Sequence, residues 1–207
     1  MPLHKIEQYN QGGWGIWHIE ETEEELAFDA FEQSPIELVN VTKRLEWLAA
    51  RVLIRQLIEQ NNFTYNGLIK DEFGKPFLRD LSLQISLTHS FPYVAAQWHA
   101  SLPVGIDLEQ PKEKLLKVGP RVLSPEEWKD ADSDLTKLCI YWCAKEALYK
   151  NYGQRGLHFA QQLLVQPFEM KLAGFLKGSI HANDQKQNVP LEYRVESDFV
   201  VVLTKYS

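Results

Sequence analysis

Apolar positions recur along this chain in two periods. Between residues 42 and 60, Leu45, Leu48, Ala49, Val52, Leu53 and Leu57 return at three- and four-residue steps. That spacing predicts an amphipathic helix with one stripe on a core. Thr42 is its expected N-cap and Asn61-Asn62 its expected end. The polar face carries Lys43, Arg44, Arg51 and Arg55. A second long helix is predicted over 134–151. Ser124-Pro125-Glu126-Glu127 reads as another helix start: Ser at the N-cap, Pro at the first position, Glu at the third. Thr22 with Glu25 forms a capping box that opens a helix through about Phe31. The second period is that of strands, expected at 14–19, 83–87, 93–99, 104–109, 163–168, 172–181 and 191–204. Thr88-His89-Ser90 lies between two of them, and Asp71-Glu72-Phe73-Gly74-Lys75-Pro76 reads as a turn. Short strands mixed with a few long helices predict an α+β fold. No linker, repeat or low-complexity stretch interrupts it, and a boundary near residue 100 would cut two similar halves.

Composition narrows the function classes. The chain has 207 residues, 44% of them hydrophobic, enough to bury a core without disulfides or a structural metal. With 22 basic and 28 acidic residues the net charge is −6, which argues against a nucleic-acid partner but not against a local basic pocket. The acidic excess gathers at residues 20–37 and reads as a solvated helical face. The two cysteines, Cys139 and Cys143, are too few for a disulfide framework and wrongly spaced for a zinc knuckle, so reduced thiols are expected. No signal-peptide pattern opens the chain and no run of about 18 apolar residues occurs. The expectation is a cytoplasmic protein with no membrane partner.

Four short segments can carry chemistry. In Gly105-Ile106-Asp107-Leu108-Glu109, strand alternation sends Ile106 and Leu108 into the core and projects Asp107 and Glu109 from the other face. Two carboxylates that close repel unless a cation lies between them, and hard divalent cations such as Mg²⁺ take such oxygens. The plain alternative is an exposed acidic strand face. In Trp142-Cys143-Ala144-Lys145-Glu146-Ala147-Leu148-Tyr149-Lys150, helical spacing puts Trp142, Glu146 and Lys150 on one stripe; the plain alternative is a surface Glu–Lys pair. Thr88-His89-Ser90 could bind an anion or simply be a polar turn. Gly74-Lys75-Pro76 could contact a ligand or simply be a tight turn. No P-loop, dinucleotide fingerprint, calcium loop or nucleophile elbow is present, so any phosphate contact must come from scattered side chains.

In this order and spacing, the four segments and the basic helix at 43–58 resemble the 4′-phosphopantetheinyl transferases, the larger surfactin-synthetase-activating type being the nearer match. The resemblance runs over residues 43–150, about half the chain. It implies two pseudo-symmetric halves, 1–102 and 103–207, each a small sheet packed on a long helix, with the active site in the cleft between them. It implies transfer of the phosphopantetheine arm of coenzyme A to a serine of an apo acyl or peptidyl carrier protein, with release of 3′,5′-ADP. Asp107, Glu109 and Glu146 would hold Mg²⁺, Glu146 would take the serine proton, and Lys150 would neutralise phosphate charge. Thr88, His89, Ser90, Lys75 and Pro76 correspond to the family's coenzyme A contacts, and Arg44 and Arg51 are candidates for the 3′-phosphate. A monomer is expected, because the two halves already complete the site. One departure stands out: residues 6–42 contain no Lys or Arg, where relatives often carry a phosphate grip. The rival readings are a non-catalytic coenzyme A or carrier-protein binding module, and another Mg²⁺-dependent phosphotransferase or pyrophosphatase.

Overall fold

The computed structural model describes residues 3–206. The chain divides into two compact units, one ending at Val104 and one beginning at Gly105. Both mix α and β structure, and among the described residues all strand pairing is antiparallel. Among the described residues no helix is long and apolar enough to cross a membrane.

The first unit contains, in chain order, β1 (Leu3–Tyr9), β2 (Gly12–His18), α1 (Glu23–Ala30), α2 (Val41–Glu59), β3 (Leu68–Lys70), β4 (Pro76–Leu78), β5 (Gln84–Ser90) and β6 (Tyr93–His99). Its main sheet runs β1-β2-β6-β5, and β3-β4 is a separate hairpin. The Thr22 capping box forms as predicted: Thr22 Oγ1 accepts from the Glu25 amide, and the Glu25 carboxylate accepts from the Thr22 amide. Helix α2 starts earlier than expected, because Asn40 rather than Thr42 caps it by accepting from the Lys43 amide at 3.1 Å. Leu48, Ala49, Val52, Leu53 and Leu57 are buried as the periodicity predicts and pack with Trp17, Ile85, Val94 and Trp98 of the sheet. Thr88-His89-Ser90 is not a connection between strands. It is the last part of β5, paired with Ala95, Val94 and Tyr93 of β6, because the ladder continues to the Phe91-Pro92 turn.

The second unit contains β7 (Ile106–Glu109), α3 (Lys114–Val122), α4 (Pro125–Ala131), α5 (Leu135–Tyr152), α6 (Phe159–Gln162), β8 (Leu163–Val165), β9 (Ala173–Ala182), β10 (Gln185–Val195) and β11 (Val200–Thr204). Its sheet runs β7-β11-β10-β9-β8. The stretch expected as a strand over 191–204 is two strands broken at 196–199. Helix α5 lies against this sheet and is buried on most of its circumference, with Leu138, Ile140, Tyr141, Cys143, Ala144, Ala147 and Leu148 in the core. Only Trp142, Glu146, Tyr149 and Lys150 among residues 141–150 keep partial exposure. Gly105 lets α5 and the start of β7 touch backbone to backbone. A Cβ there would stand 1.9 Å from the Ala147 carbonyl oxygen, a distance no non-bonded pair tolerates.

Candidate functional site

In the second unit, β7 and α5 place the acidic residues. Asp107 pairs with Val202, and Glu109 with Val200. Both valines belong to the core beneath α5, so the two carboxylates share the sheet face that α5 covers. Ile106 and Leu108, fully buried, lie on the opposite face. The sequence expectation that Asp107 and Glu109 point the same way holds; what the pattern did not indicate is that they point at the helix. Across from them, Lys150 Nζ donates to Asp107 Oδ1 at 2.8 Å and to the Ile106 carbonyl at 2.9 Å. Glu109 Oε2 has the Lys114 ammonium at 3.5 Å. Glu146 lies one helical turn before Lys150. Burial, reinforced by the negative charges of Asp107 and Glu109 and opposed by Lys150, pushes its carboxyl up to about 7.

Among the described residues no three His, Cys, Asp or Glu side chains form a ready-made metal shell. Lysine ammoniums lie on Asp107 and Glu109. The donor set nevertheless suits a hard cation, being three carboxylates, one of which is raised by burial and further by the charges of the other two. A divalent ion bound at Asp107 Oδ1 would displace Lys150.

The residue before Glu146 has a different task. Lys145 is fully buried, and its ammonium bonds Glu127 Oε2 at 2.8 Å and the carbonyls of Phe159 and Leu163 at 2.8 and 2.5 Å. Glu127 also accepts from the amides of Ser124 and Val165 at 2.6 and 2.8 Å. One buried ion pair thus ties α4, α5, α6 and β8 and fixes the turn of helix from which Glu146 projects. The capping box predicted Glu127's bond to Ser124, but nothing local predicts its bond to Lys145.

In the first unit, a cavity of about 530 Å³ is lined by residues including Lys43, Glu46, Trp47, Arg51, Lys70, Gly74, Pro76 and His89. Of the sequence-predicted contacts, Arg51, Pro76 and His89 reach this wall. Arg51 Nε pairs with Glu32 at 2.9 Å while its guanidinium stacks on Trp47. Arg44 does not line the cavity: Nε grips both oxygens of Glu23 at 2.7 and 2.9 Å and Nη1 donates to the carbonyls of Leu38 and Val39. Strand alternation puts Thr88 and Ser90 on the other face of β5 from His89, and Thr88 is buried there. The amide of Lys75 donates to Asp71 Oδ1 at 2.8 Å; burial pushes its ammonium down, opposed by Asp71. Sequence reasoning missed Lys43, Glu46, Trp47 and Lys70 as wall residues. The spacing of Lys43 and Glu46 signals only a surface pair, whereas Glu46 is 2% exposed. Its Oε2 has Lys43 Nζ at 2.7 Å and His89 Nδ1 at 3.2 Å, and Oε1 accepts from the Phe91 amide at 3.0 Å. Those contacts hold its carboxyl down at about 2, against the cost of burial.

Comparison with known proteins bears on the second unit. A family model described as the 4′-phosphopantetheinyl transferase superfamily matches residues 103–203. A Bacillus subtilis (strain 168) protein described as 4′-phosphopantetheinyl transferase Sfp is 29% identical over 116 residues, 52% of this chain and 51% of the relative. The chain spans about half the length of the curated relative it matches.

Proposed function

By residues 103–203 this chain is a member of the 4′-phosphopantetheinyl transferase superfamily, of the Sfp-like type, and from that premise we propose that it transfers the 4′-phosphopantetheine arm of coenzyme A to a serine of an apo carrier protein, as a holo-[acyl-carrier-protein] synthase does. The observation that carries this reading is the grouping of Asp107, Glu146 and Lys150 where β7 meets α5, inside the matched segment.

Asp107, Glu109 and Glu146 would hold Mg²⁺, which when bound supplies positive charge against the pyrophosphate of coenzyme A. Without a metal the carboxyl of Glu146 is raised to about 7 by burial and the charges of Asp107 and Glu109; as a ligand of the cation it would be ionised, the form a base needs. It accepts the proton of the serine hydroxyl, directly or through one water. The serine oxygen forms its bond to the phosphorus that carries the pantetheine arm, and the bond from that phosphorus to the bridging oxygen breaks, releasing 3′,5′-ADP. Lys150, once off Asp107, neutralises charge on the departing phosphate. In the first unit, the cavity with Lys43, Arg51, Lys70 and His89 on its wall has the charge and size for the nucleotide end of coenzyme A. Lys75 is assigned to its approach, whereas Thr88 and Ser90, on the other face of β5 from His89, are not. Arg44, engaged by Glu23, is the weakest of the phosphate candidates. We read the protein as a cytoplasmic monomer.

The test is mass spectrometry of a panel of apo carriers, from fatty-acid, polyketide and peptide synthesis, incubated with the chain, coenzyme A and Mg²⁺. A gain of one phosphopantetheine arm on the serine is expected, and Asp107→Ala is expected to abolish it. Binding of coenzyme A with no transfer to any carrier would leave a binding module and overturn the reading.

A further inference from the structure

The carboxylate of Glu46 is buried while both cations on it are open to solvent: its side chain is 3% exposed, those of Lys43 and His89 51% and 49%. A surface pair of the i, i+3 kind exposes all its members. Here the acid sits beneath and reaches from α2 to residues 43 and 45 positions later, His89 and Phe91. Burying a charge under half-exposed partners is costly for stability, and some proteins retain such a pair because it fixes a geometry.

We propose that Glu46 is a positioning residue that orients His89 and Lys43 as a paired receptor for one phosphate monoester in the first-unit cavity. The inference rests on the coenzyme A reading for the identity of that phosphate. An ionised carboxylate only accepts, so the nitrogen facing it, Nδ1, carries the hydrogen. That leaves Nε2 as the ring atom available to a ligand. In the doubly protonated ring, Nε2–H donates to the anion as a charge-assisted bond. Lys43, held at 2.7 Å by the same Oε2, brings a second cation beside it. Arg51 and Lys70 are the other cations on the wall, and Arg51 is paired with Glu32.

Glu46→Gln tests this. The glutamine oxygen can keep the Phe91 amide, and its NH₂ then faces His89 Nδ1. Two measurements are made on the full chain. ¹⁵N NMR of His89 without ligand is expected to show Nδ1 switching from donor to acceptor. Calorimetry is expected to show adenosine 3′,5′-bisphosphate bound at least tenfold more weakly, with 5′-AMP unchanged. An unchanged Nδ1 signal, or an equal loss for both nucleotides, would overturn the proposal. If the wild-type chain binds the two nucleotides equally while Nδ1 still switches in the variant, the anchor stands and the coenzyme A assignment falls. Should Glu46→Gln fail to fold, Lys43→Met at a half-exposed position supplies the same nucleotide comparison. There a selective loss of the bisphosphate supports the receptor, and an unchanged ratio overturns it.

Discussion

Replacing Lys145 by methionine keeps the length of the side chain and removes its charge. The structure sets the size of the effect. The ammonium is fully buried and makes three bonds, to Glu127 and to the carbonyls of Phe159 and Leu163. Without it, Glu127 remains a buried anion held by two backbone amides, those of Ser124 and Val165, and both carbonyls lose a charged donor. Removing one partner of a buried pair typically costs about 3–5 kcal/mol, against 0–1 for an exposed one. For a chain of this size that lowers Tm by roughly 6–20 °C. Urea denaturation measures it directly, with an unchanged m-value showing that the unfolding reaction is the same. Adding Glu127→Gln to Lys145→Met should recover part of the loss, because the amide oxygen can still cap Ser124 without an unpaired charge. A loss below about 1 kcal/mol in Lys145→Met would refute the reasoning, since the pair would then behave as though solvated.

Two further outcomes are expected. Gly105→Ala drives a methyl group into the Ala147 carbonyl; it should cost about 2–3 kcal/mol in the same denaturation assay and abolish transfer by mass spectrometry, and a stable, active variant would contradict the contact. Glu146 is raised from 4.5 to about 7 in the fold, so between those values the folded chain holds a proton that the unfolded chain has lost. Without divalent ions, stability from this group falls as pH rises through 4.5–7, by about 3 kcal/mol. Glu146→Gln should remove that slope, and an identical pH profile in the variant would rule the shift out.

What the sequence revealed was local, and what it hid was the pairing of distant residues. The capping boxes at Thr22 and Ser124 were legible because a Ser or Thr three residues before Glu satisfies two helix amides within one turn. The stripe on α2 was legible for the same kind of reason. Helix α3 was missed because Pro120, near its end, lacks the amide that a helix uses beyond its first turn. The 191–204 run hid two strands because its apolar residues continue on both sides of the turn. At the site, spacing could pair Asp107 with Glu109 on a strand and Glu146 with Lys150 on a helix, but it left both as plain surface pairs; only the resemblance joined them, and the contact of Lys150 with Asp107 spans 43 residues. Arg44 misled, as its carboxylate partner is 21 residues earlier. Glu46 escaped notice, as its meaning depends on His89 and Phe91 arriving from another strand.

The ammonium on Asp107 belongs to the chain itself. Its local concentration at that carboxylate is fixed by the length of one lysine side chain and the rigid helix behind it, not by the medium. Dialysis and chelators cannot strip it, and dilution does not weaken it. The acidic face of β7 therefore carries its own counterion in every buffer. A soluble cation that binds the Asp107 oxygen held by Lys150 must outcompete a ligand present at a high, constant effective concentration, and one that also keeps a bond to the Ile106 carbonyl. The apparent affinity measured at that oxygen thus reports a displacement, and Lys150→Ala would expose the stronger intrinsic affinity beneath it.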